Sequence, residues 1–177
     1  MRVLLSIIFY LVYINSSYAS PYFVVDTDHV ISKSIAYVAF KKSWDAVNQQ
    51  YQKEIESYEK KIEILDKKLS MSLNSIDEKT LKESRNLIGG YENKIRKLMQ
   101  QRTLVLDKAM SDALGVLREN ISVIIQEYAA LHKVNLILSS SQVIYHSNSL
   151  DITQKILSAL NLRLSKVDIT ISSDNEE

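Results

Sequence analysis

The sequence has no cysteine, and that absence removes disulfide frameworks, thiolate metal sites and thiol catalysis together. Proline occurs once and glycine three times, with Gly89 and Gly90 adjacent and Gly115 alone. Loops that cradle phosphate need several closely spaced glycines so that backbone N–H groups can approach the ligand, which argues against a nucleotide-binding enzyme. The three histidines, His29, His132 and His146, are far apart in sequence and none stands at an i, i+3 or i+4 ligand spacing. No compact set of ionisable groups suggests a catalytic pocket, so neither an enzyme, a metal nor a cofactor is expected. A large excess of one charge is also missing: 22 basic residues face 21 acidic ones, too even for a nucleic-acid footprint.

What is present begins with MRVLLSIIFYLVYINSSYAS, which has the form of an export signal. Arg2 supplies the positive start, Val3 to Ile14 is apolar except at Ser6, and Ser17-Tyr18-Ala19 offers small residues where a signal peptidase reads them. A spanning helix needs about 20 consecutive apolar residues, and this run is shorter. Cleavage after Ala19 and a location outside the cytoplasm are expected; an uncleaved anchor is the alternative.

The segment YQKEIESYEKKIEILDKKL (51–69) carries Tyr51, Ile55, Tyr58, Ile62, Leu65 and Leu69 at alternating steps of four and three. Two apolar positions in seven make a narrow seam, suited to a coiled coil rather than to a broad core. Trp44 extends the seam backwards, so a helix is expected from about 35 to about 70, capped by Ser32 or Ser34. The pattern breaks over residues 70–75, where Ser75-Ile76-Asp77-Glu78 reads as a capping box that starts a second helix. Ile88, Tyr91, Ile95 and Leu98 continue the seam there, and from about Leu106 the apolar stripe widens, as when a helix enters a bulkier core. Two limbs of equal length around one break predict an antiparallel hairpin, each limb roughly 55 Å long. A parallel coiled coil between chains, with the break as a stutter, is the competing arrangement. Gly89-Gly90 falls inside the return limb opposite the neighbourhood of Tyr58, marking either a kink or a close approach of the other limb.

Short strands are expected at both ends of the chain: Tyr22–Asp26, Val134–Leu138 and Gln142–Tyr145. Phe23, Val25, Leu136, Leu138, Val143 and Tyr145 are their apolar residues. Leu150-Asp151-Ile152-Thr153 leads into a short amphipathic helix with Ile156, Leu157 and Leu160 on its buried side. The tail, with Leu162, Leu164, Val167, Ile169 and Ile171 in partial alternation, is open between an added strand and a frayed end. Asp26 and Asp28, an acid pair on paper, stand between a strand and a helix, where capping or turn formation is the expected role. So small a sheet buries little apolar surface alone, and self-association into a small symmetric oligomer is the natural remedy.

Two of these segments carry a family likeness. LILSSSQVIYHSNSLDITQKILSAL (136–160) resembles the C-terminal signature of the Skp/OmpH family of periplasmic chaperones, and VVDTDHVISKS (24–34) resembles its opening strand. The likeness spans about residues 22–161, and the tail after Asn161 runs past the usual family end. It implies an α+β fold in which a long antiparallel helical-hairpin arm hangs from a small β body that completes a barrel by trimerisation. On that reading residues 1–19 are the signal peptide, and 20–34 with 114–161 form a discontinuous β-rich oligomerisation body. Residues 35–113 form the arm with its tip at 70–75, and 162–177 are the tail. The implied activity is that of a holdase working without ATP on unfolded outer-membrane proteins. The alternative is an exported coiled-coil structural or adhesion scaffold with no client-holding activity.

For a holdase, the off-seam or tip residues Ile64, Met71, Leu73 and Met99 are candidates for client contact, with Met suited to promiscuous packing. They can equally be scattered surface apolar residues. Lys94, Arg96, Lys97 and Arg102 can meet acidic clients, anionic lipid or lipopolysaccharide, or form a solvated helix face. From Lys41 to Lys108 the chain holds 15 basic and 11 acidic residues, so the arms are mildly basic. The partners expected are further copies of the chain (a homotrimer, on the resemblance), unfolded outer-membrane β-barrel proteins and anionic lipid or lipopolysaccharide, and no nucleic acid.

Overall fold

Ser34 is the joint on which the architecture turns. It ends the short helix α1 (Thr27–Lys33) and starts the long helix α2 (Ile35–Met71). Its hydroxyl donates to the carbonyl of Ile31 at 2.8 Å and accepts from Tyr37 N–H at 3.2 Å, so a fully buried serine is satisfied in both directions. The expected cap is therefore Ser34 rather than Ser32. These features come from a computed structural model, which describes residues 22–71, 77–169 and 171. The signal-like segment and Leu73 lie outside the described residues.

The second long helix, α3 (Glu78–His132), is continuous for 55 residues, so the return limb and the body helix are one element of about 80 Å. Its cap is Asp77, whose carboxylate accepts from Thr80 N–H at 2.9 Å and Thr80 Oγ1 at 2.8 Å. This corrects the expected cap at Ser75. Asp77-Glu78-Lys79-Thr80 is an equally good N-cap sequence two residues on, and it is the one the backbone uses. α3 closes at Lys133, the only described non-glycine residue with a left-handed backbone (φ 53°, ψ 43°).

α2 and α3 pack antiparallel, as the equal limbs about the break predict. Trp44 Nε1 donates to Leu106 O at 3.0 Å, Arg102 Nε donates to Asn48 Oδ1 at 2.8 Å, and the Tyr58 and Tyr91 rings stand 5.6 Å apart. The residue numbers of each pair add to 149 or 150, so the limbs meet at the segment between Met71 and Asp77. Tyr51 and Ile55 are buried, while Tyr58, Ile62, Leu65, Leu69, Ile88, Tyr91, Ile95 and Leu98 are half-buried. From Glu56 outward to the tip and back to Val105 no described side chain is fully buried. The arm is held by a two-helix seam alone.

Gly89 and Gly90 do not serve a close approach: a methyl group built on either meets nothing within 4 Å. Helix α3 runs through both without interruption.

The body gathers the two ends of the described chain. Strand β1 (Tyr22–Val25) pairs in parallel with β2 (Leu136–Ser139), Tyr22 beside Leu136 and Val25 beside Ser139. On its other side Val24 bridges Asp151, and Val24 O accepts from Ile152 N at 2.9 Å. Asp26 takes the capping role expected of it, accepting from His29 N–H at 2.8 Å. Its own N–H donates to Thr153 Oγ1 at 2.9 Å, which ties it to the start of helix α4 (Thr153–Arg163). Ile156 and Leu160 of α4 join Val30, Phe40, Ala113, Leu117, Ile121 and Ile124 in one core where the widened stripe of α3 is buried.

The expected strand at Gln142–Tyr145 does not form, and two strands, not three, make up the described sheet. Ser140–Gln142 is a single 3-10 turn that follows β2 directly, and no strand comes after it among the described residues. β1 is flanked on both sides, by β2 and by Asp151, while the outer edge of β2 stays unpaired among the described residues; strand composition alone does not bring residues 142–145 to it. Val143 is half-buried, whereas Ile144 and Tyr145 are exposed. The body is accordingly mostly helical rather than β-rich.

Candidate functional site

The arm displays its candidate contact residues outward because the seam uses only two positions in seven. Ile64 is 66 % exposed, Met71 78 % and Met99 48 %, large apolar side chains that the described residues leave about half or more open. Leu87 and Leu104, 52 % and 70 % exposed, belong with them and were missed in the sequence. Each sits next to a seam residue (Ile88, Val105), and displacement from the three-four spacing is the signal that identifies them. By the register of the hairpin, Ile64 and Leu87 lie at one level of the arm. The apolar residues are thus spread along the arm rather than gathered in one pocket.

The basic cluster divides. Arg102 is half-buried and bridges the limbs through Asn48, which makes it part of the hairpin's cross-bracing. Lys94, Arg96 and Lys97 remain exposed. Lys94 Nζ stands 5.3 Å over the Tyr58 ring, and Lys61 Nζ lies 4.7 Å from Tyr58 and 5.5 Å from Tyr91, so two ammonium groups crown the tyrosine pair. Burial, and then the charge of Glu54, raise the Tyr51 phenol above its ordinary value, which fits its place in the seam.

At the opposite end, the face of the body around β2 is apolar and open. Tyr22 and Leu136 are more than half exposed although they pair across the sheet, and Leu131, Ile144 and Tyr145 are exposed nearby in sequence. Phe23 packs edge-on against Tyr128 at 5.8 Å, with His132 stacked on the same ring at 4.1 Å. Of the body residues singled out in the sequence, Val25 is in the core, Phe23, Leu138 and Val143 are half-buried, and Leu136 and Tyr145 face solvent. Among the described residues no group of three or more His, Asp or Glu is placed to hold a metal ion, and no helix is long and apolar enough to cross a membrane.

A family model described as "Outer membrane protein (OmpH-like)" matches residues 22–160. The chain belongs to the OmpH-like family. Its fold is also similar to a crystal structure from Caulobacter crescentus, described as a candidate outer membrane chaperone that is OmpH-like, with a TM-score of 0.77. That likeness covers 90 % of this chain and 95 % of the other at 17 % identity, which speaks to fold alone. No curated protein matches the sequence. The match confirms the family to which the two end segments pointed, and it ends where the tail begins.

Proposed function

We propose that this chain is a periplasmic holdase that works without ATP, keeping unfolded outer-membrane proteins soluble between helical arms until they are inserted. The observation that carries the reading is the arm itself. Two helices reach some 55 Å from the body on a half-buried seam, with Ile64, Met71, Leu87, Met99 and Leu104 turned outward along them. Distributed weak apolar contacts hold an unfolded chain without imposing a conformation on it, and Met adds adaptable packing. Membership of the OmpH-like family and the fold shared with a candidate chaperone support a chaperone role. The signal-like first nineteen residues support export to the periplasm.

The working form in this proposal is a homotrimer. A two-stranded sheet is too small to stand alone, and the exposed Tyr22, Leu136, Ile144 and Tyr145 offer an apolar surface and a strand edge for neighbouring copies. Lys94, Arg96 and Lys97 give the arm a basic face toward acidic client segments or anionic lipid head groups, lipopolysaccharide included. Catalysis plays no part in this reading.

The test is the mass of residues 20–177 by light scattering, alone and with a urea-unfolded outer-membrane barrel protein. A trimer that takes the unfolded chain into a soluble complex is the expected result. A monomer or dimer, or a trimer that leaves the client to aggregate, returns the chain to the scaffold reading.

A further inference from the structure

The tail is the part of the described chain that the family match leaves out. It leaves α4 at the foot of the arm, where Asn161 Oδ1 accepts from Ile35 N–H, the first residue of α2, at 2.9 Å. Val167 is only 9 % exposed and belongs to the buried cluster that holds Ala36, Phe40, Ile156 and Leu160. Leu164, Ile169 and Ile171 are half-buried against that cluster. Lys166 and Asp168 lie between them in sequence and point outward, paired at 2.7 Å with side chains 71 % and 77 % exposed. Val167, Ile169 and Ile171 therefore go in while their described neighbours go out, the period-two pattern of extended chain.

Such a segment normally holds its place in a sheet through a ladder of backbone hydrogen bonds. This one has none among the described residues. Leu164 N–H returns to Leu160 O at 2.8 Å and Ile169 N–H to Val167 O at 3.0 Å, both local. Among the described residues it is held by side-chain burial. Alternation of apolar and polar residues is also the sequence character of the strands of outer-membrane barrels. The tail thus presents to its own body the chemistry that an unfolded barrel segment would present.

We propose that residues 164–169 and 171 act as a strap that stands in for the client, occupying apolar surface of the body at the foot of the arm until an extended, alternating segment of an unfolded barrel protein displaces it. This rests on the holdase reading above. A tethered occupant competes at an effective concentration in the millimolar range and lowers the apparent affinity of anything that needs the same surface.

Three forms of residues 20–177 test it: the full chain, a chain ending at Arg163, and full-length Val167→Asp. Each is titrated with a fluorescent twelve-residue peptide of alternating Val/Ile and Ser/Thr, and mixed with a urea-unfolded barrel protein. Because the chain has no cysteine, Ile171→Cys carries a single environment-sensitive dye that reports release of the strap. The peptide is expected to bind the two altered forms about tenfold more tightly than the full chain, and peptide or barrel protein should shift the dye to its solvent-exposed emission. Equal affinities, or a dye that stays buried while the client is held, would overturn the strap and leave the holdase reading standing. If the truncated form fails to fold by circular dichroism, Val167→Asp and the dye decide the same question. If no form keeps the barrel protein soluble, the holdase reading fails, and the strap as a client stand-in fails with it.

Discussion

Trp44 Nε1 donates to the main-chain carbonyl of Leu106 at 3.0 Å, a bond from one limb of the arm into the backbone of the other. Lys41 Nζ covers the same indole at 3.9 Å and pairs with Asp45 on the next turn. The contact lies where the stripe of α3 passes from half-buried to fully buried, so Trp44 fastens the arm to the body. Trp44→Phe keeps an aromatic ring and loses the donor, and it should cost about 1 kcal/mol in urea unfolding. As Trp44 is the only tryptophan, its fluorescence reports this joint in the parent chain. Unchanged stability in Trp44→Phe would mean that the bond contributes nothing net.

Gly89 and Gly90 lower the helix propensity of the return limb without any steric return. A glycine inside a helix costs up to about 1 kcal/mol relative to alanine, and neither position has an atom within 4 Å of a built methyl group. Gly89→Ala and Gly90→Ala should each raise stability by up to about 1 kcal/mol, read as a higher Tm. If the double variant is more stable and yet holds an unfolded barrel protein less well, the glycines serve bending of the arm. Equal holding would leave them without a functional role.

The arm was legible in the sequence because its information is local. The three-four spacing from Tyr51 to Leu69 and from Ile88 to Leu98 fixes which face is buried, and equal limbs about one break favour the antiparallel pairing over a parallel coil between chains. The parts that differed depend on partners distant in sequence, or on competing local signals. Val143, Ile144 and Tyr145 have strand composition, but composition alone does not make a strand: β1 is taken by β2 and Asp151–Ile152, and after the 3-10 turn at Ser140–Gln142 the chain does not pair with the free edge of β2. Ser75 and Asp77 both offer caps, and nothing in the residues themselves decides between them. Helix α1 is seven residues of mixed preference, stabilised by the Asp26 cap and by burial of Val30 and Ile31, so its cause is largely tertiary. The client-contact residues were legible in kind, as apolar side chains off the seam, and incompletely in number, since Leu87 and Leu104 pass as neighbours of seam residues.

Lys133 closes α3 in the left-handed region at φ 53° and ψ 43°, with its N–H shared between Ala129 O and Ala130 O. Helices commonly end this way on glycine, because a side chain there meets the following carbonyl at a cost of roughly 1–2 kcal/mol. Lys133→Gly should therefore stabilise the protein by about 1 kcal/mol, offset in part by the greater freedom of glycine in the unfolded chain. Differential scanning calorimetry of the two forms checks this. Destabilisation instead would show that the Lys133 side chain makes a contact worth more than the relieved strain.

The cap on α3 makes the arm sensitive to acid at its outer end. Hydrogen bonds from the Thr80 N–H and hydroxyl hold the Asp77 carboxyl below its ordinary range. Its folded pKa is thus lower than its unfolded one. The stabilisation is fully present above the unfolded value and is lost as pH falls through the folded value. In an NMR titration, the amide of Thr80 should report a midpoint below that of an unperturbed aspartate, and the first turn of α3 should fray on the acid side. Asp77→Asn keeps a side-chain oxygen of equal capping strength and should abolish this titration while leaving the turn folded. A Thr80 midpoint at the ordinary aspartate value would show that Asp77 does not hold the cap, and would move the start of α3 back toward Ser75.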